Sequence, residues 1–136
     1  MCTISDYDHF EMTSQCRAFV DTELDMWHKW YLPIRGVKGK IVVDLGAGCG
    51  ETAFFYLKHG ASRVIAVEKN RDCLDRLRKN FGEDSRVDII DAYVGHVKVD
   101  IDGEEAGMIF ETHAPTSVNR VWQDGHSDTY LWKVND

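Results

Sequence analysis

Apolar residues recur at steps of three and four from Met12 through Cys16, Phe19, Val20, Leu24, Trp27, Trp30 and Tyr31. That period predicts a long amphipathic helix over 11–32. Thr13 or Ser14 can cap its start and Pro33 stops it. Both tryptophans on this stripe are expected to pack on the core. After the turn GVKGK the pattern changes, because IVVDL is a short unbroken apolar run of the kind buried on both faces of a sheet. GAGCG follows, and Glu51 to His59 reads as a helix with Ala53, Phe54 and Leu57 inward. Gly60 stands where a left-handed C-terminal cap is wanted. RVIAVE is a second buried strand. Asn70 caps a helix from about Arg71 to Phe81, with Leu74, Leu77 and Phe81 on one stripe, and Gly82 ends it. RVDIIDA is a third strand.

Strand, helix, strand, helix, strand is the repeat of a right-handed parallel sheet. The expected fold class is therefore α/β, a Rossmann-like parallel sheet with flanking helices, a leading amphipathic helix and a short C-terminal part rich in β-hairpins. One domain over 1–136 is expected, divided into a tail (1–10), the leading helix (11–32), the βαβαβ core (36–95) and a hairpin or terminal-strand region (96–136). In the last region, HVKVDIDGEEAGMIFETH reads as a hairpin around Asp102-Gly103. NRVWQDGHSDTYLWKVND reads as a second hairpin around Asp124-Gly125, or its segment TYLWKV as a fourth strand of the main sheet. Trp122 and Trp132 are expected to pack against the sheet.

Composition narrows the function classes. A formal charge of −7, from 16 basic and 23 acidic residues, argues against a general affinity for nucleic-acid backbone. RLRKN, the densest basic run, reads as the solvated face of a helix. No apolar run is long enough to span a bilayer, and the first residues lack the plan of a signal peptide. The four cysteines, Cys2, Cys16, Cys49 and Cys73, are far apart in sequence with no C-x-x-C pair. Reduced thiols in the cytoplasm are therefore expected, with no metal site. VDIDG lacks the later ligands of a calcium loop and is expected as a turn. His113 and His126 have no partner at metal-ligand spacing.

Candidate chemistry concentrates in VVDLGAGCGE. Backbone amides at a strand-to-helix turn face whatever lies over the helix N-terminus, where the dipole favours an anion. The dinucleotide fingerprint G-x-G-x-x-G uses that geometry. Here Gly46, Gly48 and Gly50 give G-x-G-x-G, and Glu51 occupies the third fingerprint position. Asp44 ends the preceding strand, on the side of the crevice where ligands of such sheets bind. A diphosphate would meet two like charges in a poorly solvated cleft, whereas a cationic ligand would be attracted. S-adenosylmethionine meets this requirement, with an ammonium, a sulfonium and a carboxylate that could sit on the loop amides. Glu68 ends the second strand about 20 residues beyond the loop, placed to accept from two ribose hydroxyls. Asp91 and Ala92 end the third strand, where a carboxylate and an apolar neighbour suit an adenine. A tight turn without a ligand is the plain alternative. Cys49 reads as a small loop residue, since no adjacent histidine would activate it.

On these residues the chain resembles the class I S-adenosylmethionine-dependent methyltransferases. VVDLGAGCGE matches their first motif, VIAVEKN their acidic second strand tip and DIIDAYVG the adenine-side third, over about residues 36–95. HGASRVIAVEKN and IIDAYVG are most similar to the FkbM-type branch. The resemblance implies a Rossmann-like domain, abbreviated at its C-terminus, that binds S-adenosylmethionine through Asp44, Gly46, Ala47, Gly48, Glu51, Glu68, Lys69, Asn70, Asp91 and Ala92. It implies methyl transfer to an unidentified small-molecule or protein acceptor, or else a non-catalytic adenosyl-binding module that is regulatory or needs a partner chain. Nucleic acid and membrane are not expected as partners, and an exposed sheet edge could support a homodimer. VKVDIDGEE resembles an acid-rich phrase after the fourth strand of that branch, but no helix separates it from the third strand for a parallel crossover. YLWKVND is better placed as that strand, with Asn135 and Asp136 at its tip as weak candidates for an acceptor base.

Overall fold

A computed structural model describes residues 2–32, 36–93, 118–123 and 130–134. Three strands, β1 (Ile41–Leu45), β2 (Arg63–Glu68) and β3 (Val87–Asp91), form a parallel sheet in the order β1-β2-β3. The register pairs Leu45 with Val67 and Glu68 with Asp91, so the carboxyl ends of all three strands come to one edge. Helices α2 (Glu51–Lys58) and α3 (Arg71–Phe81) are the crossovers, as the alternation of periods predicts.

Helix α1 (Ser14–Trp30) precedes the sheet and buries Cys16, Val20, Leu24 and Trp27. Of the two expected caps Thr13 serves, its hydroxyl accepting from the Cys16 amide at 3.2 Å. Trp27 is buried and meets Phe55 edge-on at 5.7 Å between ring centroids. Trp30 departs from expectation: it is 52% exposed, because the stripe turns away from the core in the last helical turn. Helix α2 also departs. Phe54 and Leu57 are half-buried, while Thr52, Ala53, Phe55 and Tyr56 are buried. A helix with several faces covered cannot be read from one stripe. Helix α3 buries Leu74, Leu77 and Phe81 as predicted, and Asn70 caps it by accepting from the Cys73 amide at 3.1 Å. Gly60 has φ 93°, the left-handed cap expected after α2.

Residues 2–10 are part of the fold rather than a tail. Ile4–Tyr7 form a short 3-10 helix, and Tyr7 is fully buried among Phe10 and Phe54. Its hydroxyl donates to the Glu51 carbonyl at 2.7 Å, fastening the chain start to the first turn of α2. Burial pushes the Tyr7 phenol far above its usual value, so it stays a donor.

The last strands differ from the fourth-strand expectation. β4 (Val118–Gln123) and β5 (Tyr130–Val134) pair antiparallel with each other in a two-stranded sheet, distinct from the parallel one. YLWKV therefore belongs to the second hairpin, the alternative that its alternating pattern allowed. The first expected hairpin (96–113), Asp124-Gly125, Asn135 and Asp136 lie outside the described residues.

Replacing Tyr7 with Phe keeps the ring but removes the donor to a buried carbonyl. Urea unfolding is expected to show a loss of about 1–2 kcal/mol, with far-ultraviolet circular dichroism unchanged.

Candidate functional site

The glycine loop closes on itself through its own amides. Gly46 and Ala47 donate to the Val67 carbonyl at 2.8 and 3.0 Å, tying the loop to β2, and Gly50 donates to the Ala47 carbonyl at 3.0 Å. Gly46, Gly48 and Gly50 all have positive φ, of 85°, 60° and 96°. At Gly50 a Cβ would stand 2.6 Å from the Phe81 ring and 2.9 Å from Leu77. The close approach of a helix that the fingerprint assigns to its third glycine is thus met by Gly50 and α3, leaving the next position for Glu51.

The two remaining loop amides meet carboxylates. Gly48 N–H donates to Glu68 Oε1 at 2.8 Å and Cys49 N–H to Glu51 Oε2 at 2.9 Å. Sequence reasoning expected these amides to be open to a ligand carboxylate; here the protein's own acids take them. Glu68 is fixed further by the Lys69 and Asn70 amides, both 2.8 Å from Oε2. A carboxylate offers about four lone-pair directions, so three amides leave Glu68 room to accept from a hydroxyl.

Asp44 is fully buried beneath the loop, where its Oδ2 accepts from the Thr52 hydroxyl at the start of α2. Glu51 is nearly as buried. Both acids therefore lie under the loop rather than on an open face, and Glu51 reaches a small crevice shared with Phe19, Glu23, Trp27 and Tyr31 of the leading helix region. Asp91, at the tip of β3, is accessible and faces the Arg71 guanidinium at 3.4 Å. Ala92 N–H continues the β2–β3 pairing by donating to the Glu68 carbonyl at 3.3 Å. The structure thus brings Gly46, Ala47, Gly48, Glu68, Lys69, Asn70, Asp91 and Ala92 to one sheet edge, with Asp44 and Glu51 one layer below. The Asn70 side chain is committed to its cap.

Two features were missed from sequence. Asn80 reaches back from α3, donating through Nδ2 to the Cys49 carbonyl at 2.8 Å and the Glu11 carbonyl at 2.9 Å, while Oδ1 accepts from the Glu11 amide at 2.9 Å. No spacing rule signals such a clamp. Cys16, Cys49 and Cys73, dispersed in sequence, also converge in space.

Gly50→Ala is expected to destabilise the fold by roughly 2–4 kcal/mol, from the positive φ together with the contact against Phe81 and Leu77. Thermal and urea unfolding would measure it, and a loss below the error of either method would remove the packing role assigned to Gly50.

No family model matches the chain. It is 30% identical over 99 residues to ribosomal RNA small subunit methyltransferase A of Rhizobium etli (strain CIAT 652), a match covering 73% of this chain and 32% of that protein. The chain thus spans about a third of the length of this curated relative. Among solved structures, the crystal structure of "a putative RNA methyltransferase" from Pyrococcus horikoshii superposes with a TM-score of 0.51 at 24% identity, covering 74% of this chain and 57% of that one. Neither carries the FkbM-type name, so the likeness holds at the level of the superfamily. The three-strand parallel sheet with its flanking helices has the Rossmann-like fold of that solved structure, and over most of its described core the chain is similar to the class I S-adenosylmethionine-dependent methyltransferases.

Proposed function

We propose that the chain binds S-adenosylmethionine across the carboxyl ends of β1, β2 and β3 and takes part in methyl transfer. The observation that carries this reading is the occupation of the loop amides by Glu68 and Glu51. A phosphate could settle on Gly48 and Cys49 only by displacing both carboxylates into one another's field. A cationic adenosyl compound meets no such opposition, and the carboxyls of Asp44 and Glu51 lie buried beneath the loop that would hold it. Glu68 would accept from the ribose hydroxyls. Asp91 and Ala92 would border the base, and Gly46–Gly48 with Lys69 and Asn70 would shape the floor.

When bound, the cofactor supplies an electrophilic methyl group whose departure leaves a neutral thioether. The chain's own part is then positional: the loop and strand tips hold one reactant rigidly, so that an aligned acceptor reacts in line. RNA is the acceptor class favoured here, since both similar proteins carry RNA in their names. The earlier expectation against nucleic acid rested on net charge, which averages over surface that need not touch RNA. The same reading assigns the protein to the cytoplasm, where its thiols stay reduced; among the described residues no helix is long and apolar enough to cross a membrane. A homodimer is proposed through β1, whose second edge has no partner among the described residues and which exposes Ile41 and Val43.

Titration calorimetry tests the binding step. S-adenosylmethionine and S-adenosylhomocysteine are expected to bind and NADH to fail; the reverse order would end the proposal. Glu68→Gln should weaken every adenosyl ligand by about tenfold, in keeping with the loss of a charge-assisted hydrogen bond of about 1.5 kcal/mol, while unfolding midpoints report any general damage. For the acceptor, labelled methyl groups are expected in RNA rather than protein when both are offered, with transfer falling as salt rises. Cofactor binding with no labelled product in either pool would favour the non-catalytic module.

A further inference from the structure

Three of the four cysteines lie together although they come from separate elements. The Sγ atoms of Cys16, Cys49 and Cys73 all stand within 4.8 Å of one another. Cys16 and Cys49 are buried and Cys73 is half-buried, which gives the cluster one side toward solvent. All three are free thiols.

Their backbone positions share a second property. Cys16 is the third residue of α1, after the Thr13 cap, and Cys73 is the third residue of α3, after the Asn70 cap. Cys49 immediately precedes Gly50, the N-cap of α2. Three helix N-termini therefore converge on three sulfur atoms, and each contributes a positive end that favours thiolate over thiol. Hydrogen bonding among the thiols and burial oppose this. They hold the Cys16 thiol well above its usual value and push Cys73 up to about 12, while the hydrogen bond from Cys16 lowers Cys49. A bound cation would reverse that balance for all three, since a coordinating thiol is deprotonated outright.

We propose that Cys16, Cys49 and Cys73 form a three-thiolate site for a thiophilic d10 metal ion of the zinc class. Sulfur-only ligation selects soft ions over magnesium or calcium. Tetrahedral zinc–sulfur bonds of about 2.3 Å place sulfur atoms about 3.8 Å apart, and the three Sγ atoms already lie within 4.8 Å of one another. Two cationic charges against three thiolates leave a net negative centre, which the three helix ends offset. Bound there, the ion links α1, the glycine loop and α3 at one point. The site stands on its own residues and does not depend on the cofactor reading.

The test uses the whole chain, reduced with a phosphine and freed of metal. Titration with Cd²⁺ is expected to give sulfur-to-cadmium charge-transfer absorption that saturates at one ion per chain. Zn²⁺ should abolish that band competitively and raise the unfolding temperature. Cys73→Ser, at the least buried position, should keep the fold by circular dichroism and weaken Zn²⁺ by roughly a hundredfold. Cys2→Ser, outside the cluster, should bind as the parent does. Absence of the band in the reduced protein overturns the proposal, as does equal Zn²⁺ affinity in the parent and Cys73→Ser. Isolation of the chain with a Cys16–Cys49 disulfide that forms in preference to metal uptake under reducing conditions would overturn it as well.

Discussion

Glu68 Oε1 accepts the Gly48 amide at 2.8 Å and Glu51 Oε2 accepts that of Cys49 at 2.9 Å, so the place where an anion would ordinarily settle is filled from within. Other features of the site depend on this exchange. It compensates an otherwise costly pair of carboxylates next to a helix N-terminus, which the macrodipole favours. It also sets the sign of the field at the strand tips, and it holds Glu68 by three backbone donors without needing a cation. Electrostatics, more than loop shape, separate this turn from a diphosphate cradle.

The α/β core was legible because its signals are local. Unbroken apolar runs marked the strands, three-and-four spacing marked α1 and α3, and Asn70, Thr13 and Gly60 each served in the structure as the cap its chemistry suggested. Glu68 and Asp91 could be placed at one edge from sequence, since each ends a strand in the same direction. The ordering of loop, ribose-side acid and base-side acid followed from the winding alone.

What was not legible needs distance information that no single segment carries. Asp44 read as a crevice residue, yet its partner is Thr52, a full strand-to-helix turn away, and the pair is buried. Tyr7 sits in a polar stretch that looks like a tail; only the carbonyl of Glu51 and the rings of Phe10 and Phe54 explain its burial. The cysteines lacked any ligand spacing because three different elements bring them together. The end of the chain was ambiguous for another reason: an alternating strand suits either a hairpin or a sheet edge, and β5 took β4 as its neighbour.

Asn80 has a consequence that reaches beyond its hydrogen bonds. Its amide holds Glu11 by both ends, as a neighbouring strand would, and grips the Cys49 carbonyl with the same nitrogen. Hydrolysis to aspartate would keep the shape while setting a negative oxygen against two carbonyl oxygens, turning a fastener into a wedge. Chemical ageing at one side chain could thereby loosen the leading segment and the glycine loop together, with the sheet beneath them intact.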